Sequence, residues 1–214
     1  FRSNIGSYTI DDDNNGTSAG NSDLAINPGE SIELSVGMHN FGTSAASNVT
    51  ATMTSPNTNI TITDDEETYS SIGSGNTVFS SDDFDFSVEN NTLGGTDIQL
   101  DFELTDNSGN AWTDHLYLPV DGANLYASDY TIHDTNGIFE PGESVEMTVT
   151  LFNTGTIDIT GIEGELFCDH EDITLIDSLG AFTTIPAGSS GNNNADRFEI
   201  SADIHAINGS QLNF

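Results

Sequence analysis

The chain has 214 residues, 35 of them Asp or Glu, against two basic residues, Arg2 and Arg197, and carries a formal charge of −33. That balance excludes any ordinary grip on nucleic acid, because almost nothing can neutralise phosphates, and it opposes docking on an anionic membrane surface. One cysteine excludes an intrachain disulfide, and no run is apolar enough to suggest a membrane span.

The predicted elements, in chain order, are strands. "GSYTI" (6–10) leads into an acidic loop, "DDDNNGTSAGNSDLAINPGE" (11–30). "SIELSVGMHN" (31–40) alternates, with Ile32, Leu34, Val36 and Met38 on one face. Strict alternation over that length marks a strand with one side in a core. "NFGTSAAS" (40–47) reads as a turn, and Val49, Ala51 and Met53 resume the alternation. Further strands are expected at "NITIT", "DFDFSV", "TDIQLDFEL" and "AWTDHLYLPV". No window of ten or more residues sustains a helical period. Low hydrophobicity with high charge can mean disorder, but apolar residues patterned this strongly predict a folded chain. The charge itself calls for screening by high salt or bound divalent cations.

After a joint near Asp121-Gly122 the pattern starts again. Residues 28–64 align with 141–177 without a gap. Pro28/Pro141, Gly29/Gly142, Glu30/Glu143, Glu33/Glu146, Asn40/Asn153, Gly42/Gly155 and Asp64/Asp177 are among the identical pairs. In "SVEMTVTLFN" the inward set is Val145, Met147, Val149 and Leu151, and Ile162, Gly164, Leu166 and Cys168 follow as the next strand. A repeat this long is domain-sized. About seven short strands per copy predict an all-β chain of two tandem immunoglobulin-like β-sandwich domains, residues 1–121 and 122–214. Copy two ends at "SQLNF", where Gln211-Leu212 matches Gln99-Leu100. The second sandwich is therefore expected to lack its final strand, supplied either by further sequence or by a neighbouring subunit. The chain opens on Phe1-Arg2 with neither an initiator Met nor a signal sequence, as expected of a mature form or a fragment.

The order "YTIDDDNNG…INPGESIELSVGMHNFGTSAASNVTATM" resembles the immunoglobulin-like repeats of secreted bacterial peptidases of the gingipain and related classes, and of large bacterial and archaeal surface proteins. The shared features are an Asp/Asn/Gly loop, then P-G-E, then a strand ending in N-x-G. "YTIHDTNGIFEPGESVEMTVTLFNTGTIDITGIEGEL" carries the same order in copy two. The resemblance implies an extracellular or cell-surface, non-catalytic stalk, spacer or adhesive unit. Its partners would be neighbouring repeats or subunits, with an extracellular polymer as a possible ligand. A self-assembling filament subunit joined by strand donation is one alternative, and the substrate-recognition arm of a secreted peptidase or glycosidase is another.

The loop before each P-G-E holds the candidate chemistry. Oxygen side chains one residue apart, a glycine for a tight bend and a later carboxylate follow the logic of calcium loops. Asp134, Asn136 and Glu143 in copy two, and Asp11, Asp13 and Glu30 in copy one, are the expected metal ligands, with Ca2+ the expected ion. Asp12, Asn14, Asp23 and Glu140 lie in the same loops. The competing reading is a solvated acidic turn that simply starts a strand. The five histidines form no H-x-H or H-x-x-x-H pair, which argues against zinc. Cys168 falls on an inward strand face as an inert thiol. No G-x-S-x-G elbow occurs. With 35 acids, any Asp/Glu pair mimics a glycosidase dyad by chance. Trp112 reads as core, and the five N-x-S/T sequons are no more than this Asn- and Thr-rich composition produces.

Overall fold

A computed structural model describes residues 3–214, and every regular element among them is a strand. The chain divides into two compact units, Phe1–Gly122 and Ala123–Phe214.

Unit 1 holds nine strands: β1 Ser3–Asp11, β2 Ser31–Asn40, β3 Ala46–Thr54, β4 Ile60–Asp64, β5 Glu66–Ile72, β6 Thr77–Phe79, β7 Phe84–Val88, β8 Asp97–Thr105 and β9 Ala111–Pro119. They form two antiparallel sheets, one ordered β1-β2-β7-β4 with β6 beside β2, the other β5-β3-β8-β9. Alternation decides which side chains go inward. Ile32, Leu34, Val36 and Met38 of β2 meet Val49, Ala51 and Met53 of β3 and Leu100, Phe102 and Leu104 of β8 in one core. Phe84 and Phe102 close it edge to face, ring centroids 5.3 Å apart. Each such side chain contributes about 1.5–3 kcal/mol on burial. Tyr69 of β5 is fully buried and its hydroxyl donates to the Val36 carbonyl at 3.0 Å. Burial pushes the Tyr69 phenol well above its usual range. Trp112 of β9 packs half-buried against the core.

Unit 2 repeats the first sheet. Its strands are β10 Leu125–His133, β11 Ser144–Asn153, β12 Glu163–Glu165, β13 Ile173–Asp177, β14 Leu179–Ala181, β15 Ser190–Asn192 and β16 Phe198–Ala202. The order β10-β11-β16-β13, with β15 beside β11, matches β1-β2-β7-β4 with β6. The second sheet is reduced to β12-β14, two strands of three residues each. Nothing among the described residues stands in the place of β8 and β9. The core shrinks accordingly to Val145, Met147, Leu166, Phe182, Phe198 and Ile200.

The architecture is all-β and of sandwich type. Three local expectations need correction. β5 and β6 were not anticipated, because "EETYSSI" and "TVF" are too polar or too short to alternate visibly, and pairing with β3 and β2 fixes them. The strand expected over Ile162–Cys168 contracts to Glu163–Glu165, with β14 as its one neighbour. Gln211-Leu212 lies outside any strand. A strand needs a ladder partner, and β12 is too short to supply what β3 supplies to β8.

Candidate functional site: the acidic loops and the sheet face beneath them

The repeated P-G-E is a turn with a carboxylate latch. In unit 1 Glu30 N–H donates to the Asn27 carbonyl at 3.4 Å; in unit 2 Glu143 N–H donates to the Glu140 carbonyl at 3.2 Å. Pro sits at the second turn position, where its fixed φ fits. Gly29 (φ 88°) and Gly142 (φ 86°) sit at the third, which in a type II turn needs positive φ. The glutamate then reaches back: Glu30 Oε2 accepts from Asn27 N–H and Glu143 Oε2 from Glu140 N–H, both at 2.9 Å. The turn is clipped to the neighbouring strand by the same pair of bonds in each unit. Gly29 N–H donates to Val88 O and Val88 N–H to Glu30 O; Gly142 N–H donates to Ala202 O and Ala202 N–H to Glu143 O.

The repeated N-x-G is a second latch. Asn40 and Asn153 are both fully buried. Asn40 Nδ2 donates to the carbonyls of Ser44 and Ile72, and its Oδ1 accepts from Gly42 N–H. Asn153 Nδ2 donates to Ile157 and Ile185, and its Oδ1 accepts from Gly155 N–H. One side chain thus satisfies three backbone groups where a strand turns out of the sheet.

The expected metal ligands are placed as follows. Asp11 Oδ1 accepts from Asp13 N–H at 3.1 Å and Asp13 Oδ1 from Asn15 N–H at 2.7 Å. Glu30 lies apart from that chain, accepting from Asn21 N–H as well as Asn27 N–H. Asp134 Oδ2 accepts from Asn136 N–H at 2.9 Å, and Asn136 Oδ1 from Ile138 N–H at 2.7 Å. Asn136 Nδ2 donates to Glu140 Oε2 at 3.2 Å, which links it through the turn to Glu143. The unit 2 trio is therefore connected and the unit 1 trio is not. Among the described residues no three His, Cys, Asp or Glu side chains converge as a metal would require. These oxygens are oriented toward backbone amides rather than toward one another.

The most deeply buried carboxylate of the unit 1 loop is Asp12, which the alternation of "DDD" leaves unmarked. Asp12 is fully buried and accepts from Asp23 N–H (3.1 Å) and Leu24 N–H (3.0 Å). Ser22 (φ 64°) and Leu24 (φ 66°) hold positive φ to present those amides. Each such non-glycine residue costs on the order of 1–2 kcal/mol. Burial pushes the Glu30 carboxyl up, Asp12 and Asp23 add repulsion, and the Asn27 and Asn21 amides offset part of it.

Beneath the loops, the solvent side of each first sheet carries a row of ionisable side chains. Strand register sets Asp11 opposite Glu33, Glu33 opposite Asp85, and Asp85 opposite Asp64. The same row in unit 2 reads His133, Glu146, Glu199, Asp177. In unit 1 the long loop folds over this row. Thr17 N–H and Ser18 N–H donate to the two oxygens of Glu33, and Thr17 Oγ1 donates to Asp85 Oδ2 at 2.7 Å. Gly16 lies so close that a side chain there would strike the Glu33 carboxylate, 2.6 Å from an added Cβ. For Glu33, burial pushes upward, but the combined donation from Ser18 and Thr17 holds it below the usual carboxylate range. For Asp85, burial pushes upward and Glu33, Asp64 and Asp83 add repulsion, so it stands above that range despite the Thr17 bond. In unit 2 the row carries a cation. Arg197 Nη1 donates to Glu146 Oε2 at 2.7 Å, and Asn194 Oδ1 holds the same guanidinium at 2.6 and 3.1 Å. Sequence reasoning missed this row. Glu33/Glu146 and Asp64/Asp177 stood among the repeat's identities, but their alignment depends on register.

Cys168 is half-buried on the inward alternation of its segment, without a disulfide partner.

No protein-family model matches the chain, and no curated protein matches it. Among solved structures it is similar to the secreted serine protease VesC from Vibrio cholerae, at 12% identity, 92% of this chain, 48% of that one and a TM-score of 0.28. It spans about half the length of that protein. It is also similar to the YadV chaperone, at 9% identity, 96% and 87% coverage and a TM-score of 0.31. Spo0M, a sporulation control protein from Bacillus subtilis, gives 12% identity, 97% and 89% coverage and a TM-score of 0.29. Likeness at these scores carries no argument about what this chain does.

Proposed function

We propose that the chain is a non-catalytic structural module of an extracellular or surface-anchored protein, acting as a stalk, spacer or fibre unit. One observation carries this reading: what the repeat repeats is framework. The P-G-E pair makes a latched turn, and the N-x-G pair makes a buried asparagine latch. Glu33/Glu146 faces solvent on a structural sheet. The expected calcium is supported by the recurrence of the acidic loop and opposed by the orientation of its oxygens toward amides. Melting the chain with EDTA and with added calcium at fixed ionic strength separates the two. A higher melting temperature with calcium supports a cation-stabilised module, and superposable curves leave the solvated, amide-latched turn. Location is tested by surface labelling and protease shaving of intact cells with antibodies to the chain. Detection only after lysis would overturn the extracellular assignment.

A filament subunit is the second reading, favoured by one observation. Unit 2 leaves Phe167, Ile176, Leu179, Ile204 and Ile207 exposed. Strands added from another copy would cover such a surface. Sedimentation of the purified chain over a dilution series tests this; a monomer at every concentration rejects it.

A further inference from the structure

Acidic side chains directly opposite one another on neighbouring antiparallel strands have Cβ atoms about 4.5–5.5 Å apart, and like charges there destabilise a sheet. Both units build such a row at the same place in the same sheet, so the repulsion must be answered in each. Register shows how the answers correspond. Phe84 lies opposite Leu34 and Phe198 opposite Met147, so Arg197 of unit 2 occupies the position of Asp83 in unit 1. Where one unit supplies a guanidinium, the other supplies a further carboxylate. Unit 1 answers instead with the neutral donors of its loop, Thr17 Oγ1 and the amides of Thr17 and Ser18. These satisfy lone pairs and cancel no charge. The charged groups facing Asp85 from the elements around it are Glu33 on β2, Asp64 on β4 and Asp83 just before its own strand, with Asp11 beyond Glu33. All are acids.

We infer that Arg197 is a built-in counter-ion for a carboxylate row that both units share, and that unit 1, which has an acid at that position, relies on dissolved cations for the same task. The two units therefore respond to salt in opposite senses at this row. Screening relieves Asp11, Glu33, Asp85, Asp64 and Asp83 in unit 1. In unit 2 it weakens the Arg197–Glu146 pair. This holds whatever the chain's role, since it depends only on register and charge.

Hydrogen exchange of the full chain, read by mass spectrometry, reports each unit separately. Raising NaCl from about 0.01 M to about 1 M shortens the screening length roughly tenfold. Exchange in β2 and β7 is expected to slow severalfold, while β11 and β16 gain less or lose protection. General repulsion from the net charge is controlled by two variants of equal charge change. D83R places a cation on the row, and E103R places one on the exposed face of the other sheet. D83R should slow unit 1 exchange at low salt and flatten its salt response, and E103R should do neither to the same degree. R197Q should give unit 2 a salt response like that of unit 1. If D83R fails to fold, D83N against E103Q asks the same question with half the charge change. Equal effects of the row variant and its control, or an R197Q chain whose unit 2 keeps its original salt response, would overturn the inference.

Discussion

Unit 1 uses a nineteen-residue loop, 12–30, to carry Thr17 and Ser18 over its sheet; the corresponding loop of unit 2, 134–143, has ten residues and stays clear. The long loop is tied down along its length. Ala19 bridges to Ser31, Asp12 grips the amides of Asp23 and Leu24, and Ile26 enters the core and bridges to Val120. The short loop holds itself by local turns at Asp134 and Asn136. The same starting sequence, an acidic run before P-G-E, thus becomes a packed element in one copy and a surface turn in the other. The difference begins with length, since nine further residues let the long loop send Ile26 into the core while the short one packs only Phe139 against its own, and the cores beneath differ too. Twenty-one buried apolar residues in unit 1 stand against six in the main cluster of unit 2. The well-filled sandwich of unit 1 anchors a loop that carries two strained residues, Ser22 and Leu24.

The sharpest way to break the comparison is through the cores. Phe84→Ala and Phe198→Ala remove matched rings, each at a cost of about 3–5 kcal/mol. Unit 1 is expected to remain folded with a lower denaturation midpoint. Unit 2 is expected to unfold outright, because Phe198 is one of few large side chains in its core and packs 6.4 Å from Phe182. Fluorescence of Trp112 follows unit 1, and exchange in β16 follows unit 2. Matched sensitivity of the two units would refute the idea of unequal margins.

Next come the asparagine latches. Asn40→Ala and Asn153→Ala each strip partners from two carbonyls and one amide, and should cost about 2–4 kcal/mol. Replacement by Asp should be nearly as severe, since a carboxylate cannot donate to those carbonyls. Urea denaturation of each variant measures this. A loss below about 0.5 kcal/mol in both units would mean that water replaces the latch.

How much of this was legible varied with the range of the interaction. The strands β2 and β11 could be read directly, because alternation in "SIELSVGMHN" and "SVEMTVTLFN" is a local property of the chain. The Pro-Gly turn was equally local. Asn40 and Asn153 were visible as a repeat, but their role depended on Ile72 and Ile185, residues 32 positions away in each case. The carboxylate row lay further out of reach. Glu33, Asp85 and Asp64 are neighbours only because β7 inserts between β2 and β4, a pairing no local pattern announces. The geometry of the calcium loops was out of reach for a related reason. Spacing revealed how many oxygens each loop holds, and folding determined that they would face amides.

Gly29→Ala and Gly142→Ala test the shared turn. An added methyl forces positive φ on an ordinary residue at about 1–2 kcal/mol, and would press on Asn90 in unit 1 and Ile204 in unit 2. Thermal melts should show a similar loss in both units, since the turn is the same; a one-sided loss would locate the cause in those neighbours instead.

The smallest effect is with pH. Glu30, Glu67 and Asp85 are raised, chiefly by burial, so at these three groups folded unit 1 holds protons that the unfolded chain has already lost, whereas Glu33 and Asp106 act the other way. Stability from the three raised groups falls as pH rises above the ordinary carboxylate range. Asp134 and Asp203 of unit 2 are lowered, mainly by amide donors at Asn136 and His205, so their contribution is lost as pH falls below the ordinary range. Exchange rates at several pH values should therefore tilt in opposite directions for β7 peptides and for the segments around Asp134 and Asp203. Parallel trends would show that the net charge overrides the local groups.

The near absence of basic residues has a consequence for digestion. A trypsin-like protease cuts after Lys or Arg, and this chain offers it only the bonds after Arg2 and Arg197. The second opens β16. Its guanidinium is engaged by Glu146 and Asn194, and the next residue, Phe198, is buried in the core. Cleavage there requires β16 to leave the sheet. Limited digestion is thus a single-bond clock for the opening of unit 2, ticking at the rate at which one five-residue strand detaches.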